Sequence, residues 1–161
     1  MANRAYLYPS NQPDQWEWDR NEIEYYDSRH TFPILWWLLV SSKDLQLVDI
    51  HYSHSSWKEI RLSVKTSIAL QRFKDRIVIH HDKLLEYISL SDLERFVDKI
   101  SLWGSEYLII DPSEIFQGDV EIDHPEILRY IDSLDEHLDF GIAPYGIDST
   151  DEVKLIGYTY S

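Results

Sequence analysis

The sequence predicts a single α+β domain, residues 1–161, in which a mixed or antiparallel sheet packs with several helices, one of them buried near residues 33–41. Three observations lead there. Period-two alternation and helical apolar stripes occur along one chain without a regular strand–helix–strand rhythm, which fits α+β better than a doubly wound sheet. A nine-residue run, Phe32-Pro-Ile-Leu-Trp-Trp-Leu-Leu-Val40, contains no polar side chain. A chain of 161 residues with 43% hydrophobic content also suffices for one sizeable core. No internal repeat or low-complexity linker divides it.

The first element is a strand, because Ala2 to Tyr8 alternates until Pro9 ends the pattern. Residues 10–31 read as a long polar connection. It carries Asp14, Glu17, Asp19, Glu22, Glu24 and Asp27 interleaved with Trp16, Trp18, Tyr25 and Tyr26. Connections of this length are usually functional or disordered, and four large rings argue against disorder. Two readings stand. The rings form an interaction surface, since Trp and Tyr are enriched at binding hot spots, or they fold back as a lid on the core.

The apolar run follows as a helix, with Pro33 suited to its first turn and Thr31 or Phe32 as N-cap. A helix apolar on every side must be buried. Its nine residues fall far short of the about 20 that cross a bilayer. Leu45 to Ile50 reads as a strand, and residues 51–57, with His51, His54 and three serines, as a loop. Ile60, Leu62 and Val64 alternate with Arg61, Ser63 and Lys65, the pattern of a half-buried strand.

Ala69, Leu70, Phe73 and Ile77 then share one helical face. Residues 77–81 fit either the end of that helix or a short strand, and 83–89 a short helix. Ser91-Asp-Leu-Glu94 has capping-box spacing and opens a helix whose stripe is Leu93, Phe96, Val97, Ile100 and Trp103, stopped by Gly104. Glu106 to Asp111 reads as a strand broken by Pro112. A last helix is expected after Asp123, with Pro125 early, Glu126 at the capping-box position, and Ile127, Ile131, Leu134 and Leu138 inside. Gly141 is its natural stop. Val153 to Tyr160 closes the chain as a Tyr-rich strand, whose pairing with the first strand the sequence leaves open.

Fifteen Lys and Arg against 29 Asp and Glu give a formal charge of −14. Nucleic-acid binders neutralise phosphates with cations, so this balance speaks against DNA, RNA and anionic membranes and for a basic protein partner. The acidity is uneven. Residues 58–99 hold nine basic and seven acidic side chains, whereas residues 111–152 hold 13 acids against Arg129 alone. On the last helix Asp132, Asp135, Glu136 and Asp139 avoid the buried stripe. Such a face can steer a basic protein into a complex, and an ordinary solvated helix face would look the same. The absence of cysteine rules out disulfides and thiolate metal sites. With an N-terminus lacking an apolar h-region, the sequence reads as soluble, unexported and cytoplasmic.

Catalytic patterns are thin. His51 and His54 stand three apart, near metal-site spacing but without a third ligand. His80-His81-Asp82 would point its adjacent side chains in different directions. Asp111 with Glu114, or Asp119 with Glu121 and Asp123, reflects no more than composition in a chain of 29 acids, although glycosidases and two-metal nucleases use such pairs. The calcium-loop glycine and glutamate are missing, as are a phosphate-binding glycine loop, a dinucleotide fingerprint and a nucleophile elbow. The expectation is no catalytic residue, no metal and no cofactor.

Met1-Ala-Asn-Arg-Ala-Tyr-Leu-Tyr8 resembles the opening strand of an uncharacterised group of bacterial proteins. Leu108-Ile-Ile-Asp-Pro-Ser-Glu-Ile-Phe116 resembles that group's central strand and the turn after it. In size and acidity the group is similar to immunity proteins of bacterial polymorphic-toxin systems, small cytoplasmic inhibitors that each bind one toxin. The resemblance carries over no activity or catalytic residue. It implies a non-enzymatic, acidic binding protein that inhibits a cognate toxin domain, such as a basic nuclease. The expected contacts are Asp132, Asp135, Glu136 and Asp139, with Trp16 and Trp18 as aromatic anchors. The alternatives are a small metal-dependent or hydrolytic enzyme using scattered His and Asp, and a regulatory or structural oligomeric subunit.

Overall fold

The structure, a computed structural model, describes residues 4–29, 32–116, 120–138 and 158–160, the side chains of 120–123 and 158–160 excepted. The chain is α+β, as the mixed periodicities predict. In chain order its elements are β1 (Arg4–Ser10), β2 (Tyr25–Arg29), α1 (Ile34–Trp37), β3 (Leu45–Tyr52), β4 (Ser55–Lys65), α2 (Thr66–Leu85), α3 (Leu90–Trp103), β5 (Tyr107–Asp111), α4 (Val120–Ser133) and β6 (Tyr158–Tyr160), with a 3-10 turn at Ser42–Asp44. All strands join one antiparallel sheet in the order β3-β4-β5-β1-β2-β6. The first and last strands therefore share a sheet but are separated by β2.

Because strand side chains alternate between faces, the register sorts the residues cleanly. Leu45, Leu62, Ile110, Leu7 and Tyr26 oppose one another in turn across five strands, and all belong to the main core. The helices supply the other half of that core through Ala69, Phe73 and Leu84 of α2, Leu93, Phe96 and Ile100 of α3, and Ile127, Tyr130 and Ile131 of α4.

At its centre lies the apolar run. Phe32 and every residue from Ile34 to Val40 are fully buried, and each such large side chain contributes about 1.5–3 kcal/mol by leaving water. Phe32 stacks on Trp37 at 3.9 Å. The helix within the run is a single turn, so its carbonyls need partners from elsewhere. Two arginines of α2 provide them. Arg76 Nη1 donates to the carbonyls of Trp37 (3.1 Å) and Val40 (2.6 Å), and Arg72 Nη1 donates to that of Leu39 (3.1 Å). Pro33 is the N-cap and makes no side-chain cap bond, which replaces Phe32 in that role; Thr31 lies outside the described residues.

Several boundaries differ from expectation. Pro9 does not end β1, because at that point only β5 is paired with it and no second strand needs its N–H. Residues 51–57 are not a loop but a hairpin, with Tyr52 opposite Ser55 and a two-residue turn at Ser53-His54. The helix at 69–77 runs on as α2 to Leu85, with His80 at non-helical angles (φ −105, ψ 16) at a kink, so no separate helix forms at 83–89: residues 83–85 end α2 and 86–89 turn into α3.

Helix α3 is capped two residues before the expected Ser91. Ser89 Oγ accepts from the Asp92 N–H, and Gly104 closes the helix in the left-handed region (φ 63). Helix α4 starts at Val120 and not after Asp123, with Pro125 inside it. The stripe Ile127, Ile131, Leu134 and Leu138 is buried as predicted, whereas Gly141 and residues 153–157 fall outside the described residues. No helix among the described residues is long and apolar enough to cross a membrane.

Candidate functional site

Among the described residues, the second face of the sheet at β1, β2 and β5 is covered by the connection between β1 and β2 and not by a helix. Tyr6 and Tyr8 of β1, Tyr25 of β2 and Ile109 of β5 form a small separate cluster there, against which Trp16, Trp18 and Ile23 pack. Trp18 organises it. Its ring stacks on Tyr8 (4.2 Å, 15°) and meets Tyr6 (5.4 Å) and Tyr25 (5.1 Å) edge-on. These are the geometries that the aromatic quadrupole favours. The rings at 16 and 18 thus fold back as a lid, over the face opposite the main core, and both stay part-exposed.

Hydrogen bonds fix the connection. Tyr8 Oη donates to the Gln15 carbonyl (2.6 Å), and Gln15 Nε2 donates to the Glu17 carbonyl (2.7 Å). The Asn21 N–H donates to Asp19 Oδ1 (2.8 Å). Arg20 turns away from the neighbouring acids and donates to Tyr6 Oη (2.9 Å), its guanidinium 5.4 Å from the Tyr6 ring centre. Burial, and then the Asp111 carboxylate, push the Tyr8 phenol far above its ordinary value, with Arg61 opposing. Tyr8 therefore stays a proton donor. Burial is also the main reason that the Tyr6 phenol is raised, followed by Glu114.

Between this loop and the end of β1 lies a cavity of about 480 Å³, with Tyr8, Trp18 and Ile23 among its walls and Glu17, Asp19 and Glu22 around it. Ion pairs elsewhere among the described residues engage Arg4, Lys58, Arg61, Arg72, Arg76, Arg95 and Lys99. Among the described residues none of them reaches Asp14, Glu17, Asp19 or Glu22. An acidic rim without fixed counter-charge beside an exposed aromatic edge is chemically suited to a cationic group, which gains both Coulomb attraction and cation–π contact.

Deeper in the same face two carboxylates are held by arginine. Asp27, fully buried, accepts from Arg4 Nη1 at 2.6 Å through one oxygen, while the other has no hydrogen-bond partner among the described residues. Burial raises its carboxyl above the usual range, and Arg4 opposes that rise. Asp111 lies 3.2 Å from Arg61, which also pairs with Glu59 at 2.6 Å. These pairs belong to the interior of the sheet and not to the cavity wall.

The expected contact residues on α4 and the turn after it form a second surface. Asp132 and Glu136 are exposed. Asp135 is exposed too, yet its Oδ1 accepts from Arg76 Nε at 3.0 Å, so it already has a structural partner. Asp139 lies outside the described residues. Since α4 packs on the core face and Trp16 and Trp18 on the other, the sheet separates the two halves of the expected contact set. Glu17, Asp19, Glu22 and Tyr8 were not among the expected contacts, although the interleaving of acids and rings in residues 10–31 marked their region.

His51, His54, His80 and His81 do not converge. His51 and His54 are exposed at the β3–β4 hairpin, and His80 is buried with its Nε2 donating to the Leu134 carbonyl. His81 points to Asp82 at the surface. Among the described residues no three His, Asp or Glu side chains are grouped to hold a metal ion. Comparison of the chain with protein-family models, curated proteins and solved structures gives no match.

Proposed function

We propose that this chain is a non-enzymatic binding protein that captures a basic protein partner, as an immunity protein does when it inhibits a toxin. The observation that carries this reading is the acid-rimmed aromatic cavity over β1. Its carboxylates lack ion-pair partners among the described residues, in a chain of net charge −14. Glu17, Asp19 and Glu22 provide the contact charges and Trp18 the anchoring ring, while Asp132 and Glu136 on the opposite face strengthen the attraction at long range. Asp135 has a smaller part, because Arg76 already holds it.

Steering of this kind has a kinetic signature. Association with the product of the adjacent gene, the natural first partner to test, should slow steeply as ionic strength rises. It should slow further when Glu17 and Glu22 are both changed to Lys. A complex whose association rate ignores both salt and these substitutions would refute the reading.

A further inference from the structure

Of the nine large exposed apolar side chains among the described residues, Ile68, Val78, Ile79 and Leu85 lie on α2, Tyr87 on the turn after it, and Leu90 and Leu102 on α3. Single exposed apolar residues need no explanation; of these seven, Leu90 is the one that lines the space between the two helices. Between these two helices runs a groove of about 420 Å³. Phe73 and Leu93, both buried, form its floor, and Ile77, Val97 and Leu90 its walls. Leu90 is 49% exposed and Val78, on the neighbouring outer face of α2, 78%.

The banks of the groove carry opposite charge. Glu94 and Asp98, one turn apart on α3, line one side, and Lys74 of α2 lines the other. All three are exposed, and none belongs to an ion pair among the described residues. Elsewhere on these helices Asp75 accepts from Gln71, and Arg95 pairs with Asp92. From Leu90 to Ser101 the α3 bank extends for about 16 Å at 1.5 Å per residue, while the α2 bank, Phe73 to Ile77, spans about one turn. Both walls are helical, so an extended peptide would find no backbone ladder there. A helix laying apolar residues at i, i+3, i+4 and i+7 along α3 and across the floor fits this lining.

We infer that the α2–α3 groove is a docking site for an amphipathic helix of a protein partner, with Lys or Arg along the edge that meets Glu94 and Asp98 and an acidic residue toward Lys74. The inference is independent of the cavity over β1, and either surface can function without the other. Charge complementarity sets the orientation and the apolar floor supplies the affinity.

The test uses the full chain and a labelled 16-residue helical peptide, with Leu at the apolar positions, Lys along one edge and Glu along the other. Its charge is balanced, so the chain's net −14 exerts no bulk attraction on it. The expected result is saturable one-to-one binding by fluorescence anisotropy, absent with a scrambled peptide of the same composition. Leu90→Glu, at an exposed position that the fold does not need, should weaken binding at least tenfold. Asp98→Lys should weaken it severalfold, and a peptide with Glu in place of the facing Lys should restore it. Equal binding of the ordered and scrambled peptides, or full affinity in Leu90→Glu, would overturn the inference. So would no binding by the wild-type chain. Capture of a basic partner that is unchanged by Leu90→Glu but lost with the Glu17 and Glu22 substitutions would overturn the groove and leave the proposed function standing.

Discussion

Nε of Arg76 lies 3.0 Å from Oδ1 of Asp135, across 59 residues of sequence, and joins α2 to the turn that follows α4. The same guanidinium holds the carbonyls at the end of the buried apolar run. Arg76 is 2% exposed, and burial lowers its pKa below the ordinary guanidinium value, with Asp135 opposing. One side chain thus satisfies backbone that a one-turn helix leaves open and ties three separate segments together. This gives Asp135 a role in the fold that its place on an acidic face does not reveal.

Replacing the guanidinium should therefore be far more damaging than replacing its carboxylate. Arg76→Met fills similar space but leaves the Val40 carbonyl without its arginine donor, at about 1–3 kcal/mol, and the Trp37 carbonyl with the long 3.4 Å bond from the Val40 N–H. Urea denaturation should show a loss of roughly 2–4 kcal/mol. Asp135→Asn, at a side chain 68% exposed, should cost less than about 1 kcal/mol. Equal losses would mean that the ion pair, and not the carbonyl capping, is what matters.

Trp18 should anchor the connection over β1. Trp18→Ala removes three ring contacts at once, at about 2–3 kcal/mol, less than for a fully enclosed ring. Limited proteolysis should then cut within residues 10–24 much faster than in the wild type. Unchanged cleavage would mean that the hydrogen bonds from Tyr8 and Gln15 suffice to hold the loop.

The hairpin turn holds a correctable strain. Ser53 has φ 56, where the side chain of an L-residue is disfavoured by about 1–2 kcal/mol. Only this first central residue has positive φ, as a type II′ turn requires, and Gly is preferred there. Ser53→Gly should raise stability by about 0.5–1 kcal/mol after the entropy cost of glycine in the unfolded chain is subtracted. The midpoint of thermal unfolding reports it.

Asp27 predicts a pH dependence of defined sign. Its carboxyl is raised above the ordinary 3.8 by burial. The native state therefore holds the proton more tightly than the unfolded chain, and the contribution is most favourable below 3.8 and lost as pH rises through the native value. Asp27→Asn stays neutral throughout. Its stability relative to wild type should therefore improve as pH rises across that window and then level off. Denaturant titrations of both proteins at a series of pH values provide the check, and a relative stability that worsens over the window would reverse the assigned cause.

The parts of this fold that repeat with a period were legible in the sequence. The stripes Leu93, Phe96, Ile100 and Ile127, Ile131, Leu134 needed only helical spacing, and the Phe32–Val40 run needed only its unbroken apolarity. Strand β2 was not legible. It is covered on both faces, and it places the buried Asp27 beside Ser28, so Tyr25–Arg29 shows neither alternation nor an apolar run. The hairpin at 52–55 was obscured because its outer strand ends are solvated and carry serine and histidine. Helix α3 is capped at Ser89 because the Asp92 side chain also accepts from Ser89 Oγ at 2.7 Å, which strengthens the earlier of two possible caps. The candidate site was legible as a composition, rings amid acids, but not as a place. Which face of the sheet a connection crosses is decided by tertiary packing, and that alone separates Trp18 from Asp132.

On the proposed function, the carboxylates of residues 10–24 capture a basic protein partner. The most direct test is affinity capture from the native host at low ionic strength, run with wild-type protein and with the Glu17→Lys, Glu22→Lys double variant. The account predicts that the wild type retains a basic protein in a one-to-one complex and that the folded variant loses it. Equal retention by both, or no protein retained by the wild type, would contradict it.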